Sequence, residues 1–158
     1  MSYPEPRYLG GHGEVSAVLR PAGQPPELLR KASATSFLAT GASTRGQFGL
    51  YRWDFLGPPG GPEPHFHRSI SESFYILSGA VRLFDGERWV DAGAGDYLFV
   101  PEGGVHAFRN ESGEPASMLI LFAPGAPRED YFADVGTAGE LSEAERAAFF
   151  LRHDTFWT

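Results

Sequence analysis

The chain has no cysteine and a single lysine, Lys31. Without cysteine there are no disulfides, no thiolate metal sites and no cysteine nucleophile. The lysine shortage, in a chain whose other basic residues are arginine, reads as genome composition and not as function. Positive charge is scarce altogether: 13 Lys and Arg stand against 20 Asp and Glu, for a net charge of −7. That balance argues against nucleic acid and against an anionic membrane surface, since both select basic patches. No apolar run approaches the ~20 residues that cross a bilayer as a helix. The start, Met1-Ser2-Tyr3-Pro4-Glu5-Pro6, lacks a basic stretch followed by an apolar one, so no signal peptide is visible. A cytoplasmic address is the expectation.

What is present is ordinary for a globular domain. The 158 residues favour one domain and can bury a core without a disulfide or structural metal. Residues 1–33 are rich in Pro and Gly with weak periodicity and read as an N-terminal arm over the surface. From residue 34 to about 124, short β-branched, aromatic and aliphatic runs alternate with turn clusters. Candidate strands are 35–40, 47–56, 73–77, 81–84, 88–90, 96–100, 106–110 and 117–122, with Asp85-Gly86 as a tight-hairpin signal. Strands at this rhythm, with no long helical pattern between them, predict an all-β sandwich or barrel. After Pro124 the texture turns helical, over 128–153. Arg128 to Val135 allows a short helix, and Ser142-Glu143-Ala144-Glu145 is a capping box opening a terminal helix to about Arg152.

Three of the five histidines and one glutamate stand in two short motifs. His65 and His67 on extended backbone point to one face, about 6.5 Å apart along the strand. Imidazoles from such positions can converge on one ion. Glu72 opens the next strand, where Phe74 and Ile76 share its face by alternation. His106 opens a later strand, with Phe108 and Asn110 on its face. If Glu72 and His106 point inward, the expectation is an ion at the end of an apolar cavity walled by Phe74, Ile76 and Phe108. The blander reading, separate polar residues on barrel rims, is weakened by two His in alternation with a carboxylate and a third His nearby.

These residues carry a resemblance. The first motif reads His65-x-His67, four residues, Glu72, six residues, Gly79. The second reads Gly95, five residues, Pro101-x-Gly103, two residues, His106, three residues, Asn110. The pair resembles the two signature motifs of the cupin superfamily, and the 15 residues between Gly79 and Gly95 resemble the short connection of small bacterial cupins. One departure is Pro59, with Gly60 beside it, where the family pattern has a glycine. Segments 40–56 and 124–136 look like the quercetin-dioxygenase-like single-domain cupins.

The resemblance implies a double-stranded β-helix, or jelly-roll barrel, as a single cupin domain over 1–158. It implies His65, His67, Glu72 and His106 as ligands of one divalent transition metal per chain: iron, manganese, nickel, cobalt, copper or zinc. It also implies a homodimer and a small-molecule substrate. The expected chemistry is a quercetinase-like oxygenase acting on a small chelating aromatic or enol. Glu72 is then either a fixed ligand or the catalytic base. A non-oxidative isomerase or cyclase, or a non-catalytic ligand-binding cupin, would use the same four residues. Phe48, Trp53, Tyr97 and Phe99 read as core, Arg45 and Arg52 as exposed or structural arginines, Asn110 as a turn residue, and His12 and His153 as surface histidines. Phe149-Phe150 and Phe156-Trp157 read as packing for the terminal helix, or as a dimer contact.

Overall fold

The computed structural model describes residues 2–158. Its strands are β1 (Leu28–Leu29), β2 (Ser33–Ala39), β3 (Gly49–Phe55), β4 (His65–Phe66), β5 (Ser71–Ser78) and β6 (Ala80–Phe84), then β7 (Trp89–Gly93), β8 (Tyr97–Val100), β9 (Ala107–Arg109) and β10 (Ala116–Ala123). Helix α1 (Arg128–Asp134), a 3₁₀ turn over Val135–Glu140, helix α2 (Glu143–Arg152) and a last strand, β11 (Phe156–Trp157), complete the chain. A six-stranded sheet runs β1-β2-β3-β10-β5-β8, and a three-stranded sheet runs β7-β6-β9. Every strand pairing is antiparallel. This is the double-stranded β-helix that the resemblance implies, and it agrees with the all-β sandwich or barrel expected from the strand rhythm.

Alternation decides what each strand buries. On β5, Glu72, Phe74 and Ile76 are buried while Tyr75 and Leu77 are exposed. On β10, Met118, Ile120 and Phe122 point to the same interior. Tyr51 and Phe55 of β3 join them, with Val81 and Leu83 from the smaller sheet. Aromatic rings meet edge to face in this core, as between Tyr51 and Phe122 at 5.8 Å. The same alternation corrects one expectation. Tyr97 and Phe99 lie on the outer face of β8, 61% and 55% exposed, and Phe48 lies just before β3 at the surface. Residues of this kind were expected inside, but their parity places them outside.

Turn chemistry holds the strand order. Gly79 sits at φ 72° between β5 and β6, and a Cβ there would approach the Pro115 carbonyl to 2.6 Å. Only glycine meets both demands. The β6–β7 turn is centred one residue later than expected, on Gly86-Glu87. The Asp85 N–H donates to the Arg88 carbonyl, and the Asp85 carboxylate accepts the N–H groups of Glu87 and Arg88. The capping box is present: Ser142 Oγ accepts from the Glu145 N–H, and Glu145 accepts from the Ser142 N–H.

The C-terminal segment folds back on the barrel mouth. Phe149 is buried and stacks on Tyr131 at 5.8 Å. Strand β11, which the sequence pattern did not suggest, pairs with β4 in the register Phe156↔Phe66 and Trp157↔His65. Among the described residues of the N-terminal arm, no strand or helix precedes β1. Among the described residues, no helix is long and apolar enough to cross a membrane.

Candidate metal centre

Two motifs distant in sequence are tied together by backbone. The His65 N–H donates to the His106 carbonyl at 3.0 Å, and the His106 N–H returns the bond at 2.9 Å. The Gly103 N–H donates to the His67 carbonyl at 2.7 Å. Glu72, on the adjoining strand β5, lies opposite Phe122 of β10 and Val100 of β8. The loop before the first motif is also closely packed. Gly60 pairs with Asn110, and a Cβ on Gly61 would come within 1.9 Å of the Phe108 carbonyl. The departure at Pro59 is therefore absorbed by two glycines directly after it.

His65, His67, Glu72 and His106 converge as expected. All four are buried, and one ligand atom from each lies within 4.8 Å of the others. Every imidazole is oriented by a backbone carbonyl on its Nδ1 side. His65 Nδ1 lies 2.8 Å from the Glu63 carbonyl, His67 Nδ1 2.5 Å from that of Asp154, and His106 Nδ1 3.0 Å from that of Gly104. A carbonyl can only accept, so each Nδ1 carries a proton and each Nε2 is the atom left to face Glu72 or an ion. Glu72 Oε2 sits 2.8 Å from His106 Nε2 and 3.1 Å from His67 Nε2. Three fixed imidazoles and one carboxylate suit a first-row divalent ion, so this group could hold one.

The charges agree with that chemistry. Burial pushes the Glu72 carboxyl up, but the His106 charge and hydrogen bonds from His106 and His67 outweigh it. The carboxyl is held well below the usual range and stays ionised. Burial, aided by the neighbouring His106, pushes His65 down to about 4. For His106, burial is outweighed by Glu72, and its pKa lies above the ordinary histidine value. Metal ligation needs all three imidazoles without the Nε2 proton. Lowering pH protonates His106 before His65, so occupancy should begin to fall as pH drops through the range of His106. Metal content after dialysis across pH 8 to 5 tests this, and a flat profile would count against the ligand set.

Above the four residues lies a cavity of about 270 Å³. Its walls are mostly apolar, from Trp53, Phe108, Tyr131, Phe132, Val135 and Trp157. Of the three residues expected to wall it, Phe108 does so. Phe74 and Ile76 do not: both are fully buried in the barrel core, where Phe74 packs against Phe108 at 5.6 Å and His106 at 5.9 Å. They share the face of Glu72 but lie deeper along β5, beneath the site. Trp53, expected in the core, is instead part of the wall.

Several contributors gave no usable signal in sequence. The Asp154 carbonyl orients His67 from 87 residues away. The Asp154 carboxylate also accepts the N–H groups of Arg68 and Ser69 and the Ser69 hydroxyl. Trp157 packs on His65 at 5.3 Å. Helix α1 supplies Tyr131, Phe132 and a buried arginine, Arg128. His153, expected at the surface, is partly buried against Phe149, and its carbonyl accepts from Arg128. Arg52 is exposed and pairs with Asp54. Asn110 is a buried turn residue whose side chain spans Ser112 and Glu114.

The fold and this site together define a cupin. The cupin domain family Cupin_2 matches residues 55–122, which contain both motifs, so this stretch is a cupin domain. A quercetin 2,3-dioxygenase of Bacillus subtilis is 30% identical over 125 residues, covering 78% of this chain and 36% of that protein. A solved structure from Thermotoga maritima, described as a predicted oxalate decarboxylase, has a TM-score of 0.60 at 21% identity, covering 68% of this chain and 99% of that one. The polyketide cyclase RemF of Streptomyces resistomycificus has a TM-score of 0.53 at 22% identity, covering 75% of this chain and 82% of that one. At these identities the two structures speak for the fold. The aligned stretches span 54% and 36% of the curated relatives the chain matches.

Proposed function

We propose that His65, His67, Glu72 and His106 hold one divalent transition metal, and that the protein is an oxygenase for a small chelating enol or aromatic compound. The observation that carries this reading is the convergence of four oriented ligand atoms beneath a largely apolar cavity. The similarity to a quercetin dioxygenase over 78% of the chain adds support. When bound, the metal would lower the pKa of a chelating hydroxyl and hold the substrate by it.

The chain's own residues supply the rest. Glu72 lines the cavity, so once released from the metal its carboxylate can take the hydroxyl proton. Loss of that proton leaves an electron-rich enolate, to which dioxygen can add. The aromatic walls exclude water, which would otherwise compete for the carbanion. Oxygen uptake by metal-loaded protein, measured over a panel of enols, diketones and flavonols, should require both metal and substrate. Glu72→Gln should lower the rate by about 10²- to 10⁴-fold. Turnover that continues without dioxygen would replace this reading with a non-oxidative isomerase or cyclase. Binding without any turnover would leave a ligand-binding cupin.

We infer also that the protein acts as a homodimer. Support comes from the outer face of the six-stranded sheet, where Tyr75, Leu77, Tyr97 and Phe99 are exposed together on paired strands. Apolar surface of this kind commonly marks an interface. The mass in solution should be twice 17.2 kDa. A monomer at micromolar concentration would rule the dimer out.

A further inference from the structure

Arg128 is the one charged wall residue of the cavity that the metal site leaves unexplained. It opens helix α1, directly after the last barrel strand, and only 4% of it is exposed. Its guanidinium lies 4.0 Å from the Tyr131 ring and 4.8 Å from the Phe122 ring. Nη1 donates to the His153 carbonyl at 2.8 Å, while the buried Nε has no partner. None of the ion pairs among the described residues includes Arg128. Burial pushes the Arg128 guanidinium down, and the charge of Glu72 opposes that without forming an ion pair with it. A second wall residue, Trp53, also has a buried donor without an acceptor, its indole Nε1.

A buried cation without a counter-ion is costly, and so is each buried donor left without an acceptor. The aromatic faces recover part of that cost but accept no in-plane N–H bond. Both residues line one cavity, and a guanidinium in its wall without a counter-ion calls for an anionic oxygen acceptor inside it. A carboxylate fits best, because it neutralises the guanidinium and meets its parallel N–H groups with two oxygens.

We propose that the molecule bound in this cavity carries a carboxylate, and that Arg128 is its binding residue. This rests on the reading that the cavity is the substrate site, but not on the reaction. The substrate class becomes a small aromatic or enolic acid.

Matched probes test it without turnover. We would measure binding of 3,4-dihydroxybenzoate and of neutral 3,4-dihydroxybenzamide to zinc-loaded protein by calorimetry, in the absence of oxygen. The native protein should prefer the acid by about 10- to 100-fold, as expected for a charge-assisted pair. Arg128→Met should abolish the preference, leaving amide affinity largely intact, while Arg128→Lys should keep part of it. Equal affinity for the two probes in the native protein, or no binding of either, overturns the proposal. So does a preference that survives Arg128→Met, since the acid would then be held by the metal and not by Arg128. If Arg128→Met does not fold, the native pair and the lysine variant still decide. Failure of the oxygenase reading would appear separately, as a retained acid preference with no oxygen uptake.

Discussion

Replacing His106 with alanine should remove the metal and leave the barrel. Bound metal is expected to fall from about one ion per chain to a small fraction, with affinity lowered more than about 100-fold. The reason is geometric. His106 Nε2 is one of four ligand atoms within 4.8 Å, and its ring is fixed by the Gly104 carbonyl. The barrel should persist because its core does not depend on the site. Tyr51, Phe74, Ile76, Met118, Ile120 and Phe122 are fully buried by packing on one another. Elemental analysis of the dialysed variant reads the stoichiometry, and near-ultraviolet circular dichroism reads the packing. His12→Ala is the control, since His12 is exposed in the arm. Unchanged metal content in the His106 variant would sink the ligand assignment.

A chain ending at His153 is expected to bind metal about 10- to 100-fold more weakly, the usual cost of losing the groups that orient a ligand. Its missing residues do three things. The Asp154 carbonyl accepts from His67 Nδ1. The Asp154 carboxylate gathers the Arg68 and Ser69 N–H groups and so shapes the turn between His67 and Glu72. Strand β11 lays Trp157 against His65 and over the cavity. Asp154→Asn keeps the carbonyl and should cost less than the truncation. Equal metal affinity in the native and truncated chains would show that the terminal strand covers the site without orienting it.

The residues of the cluster were legible because the signals within each motif are local. His65 and His67 share a face by the two-residue period of a strand, and Glu72 and His106 open strands whose faces follow from the same period. The fold class was legible for a similar reason, since turn residues mark the strand ends. Parity alone could not say how deep a residue lies along its strand. Phe74 and Ile76 have the correct parity and sit in the core, whereas Phe108 reaches the cavity. Parity also could not say which face of β8 is covered, so Tyr97 and Phe99 were misplaced.

By itself, then, the sequence determined the strand rhythm, the face each strand residue takes and two motifs that resemble those of the cupins, because each is carried by neighbours a few positions apart. The tertiary structure decided the cavity. Its walls come from β3, β9, helix α1 and the final strand, and the contacts that orient and cover the site join residues as far apart as His65 and Trp157. Arg128 shows the difference most clearly. In sequence it is one arginine following a proline-rich exit. Folded, it is an unpaired cation in an apolar wall, and only the packing of Tyr131, Phe122 and His153 around it makes it so.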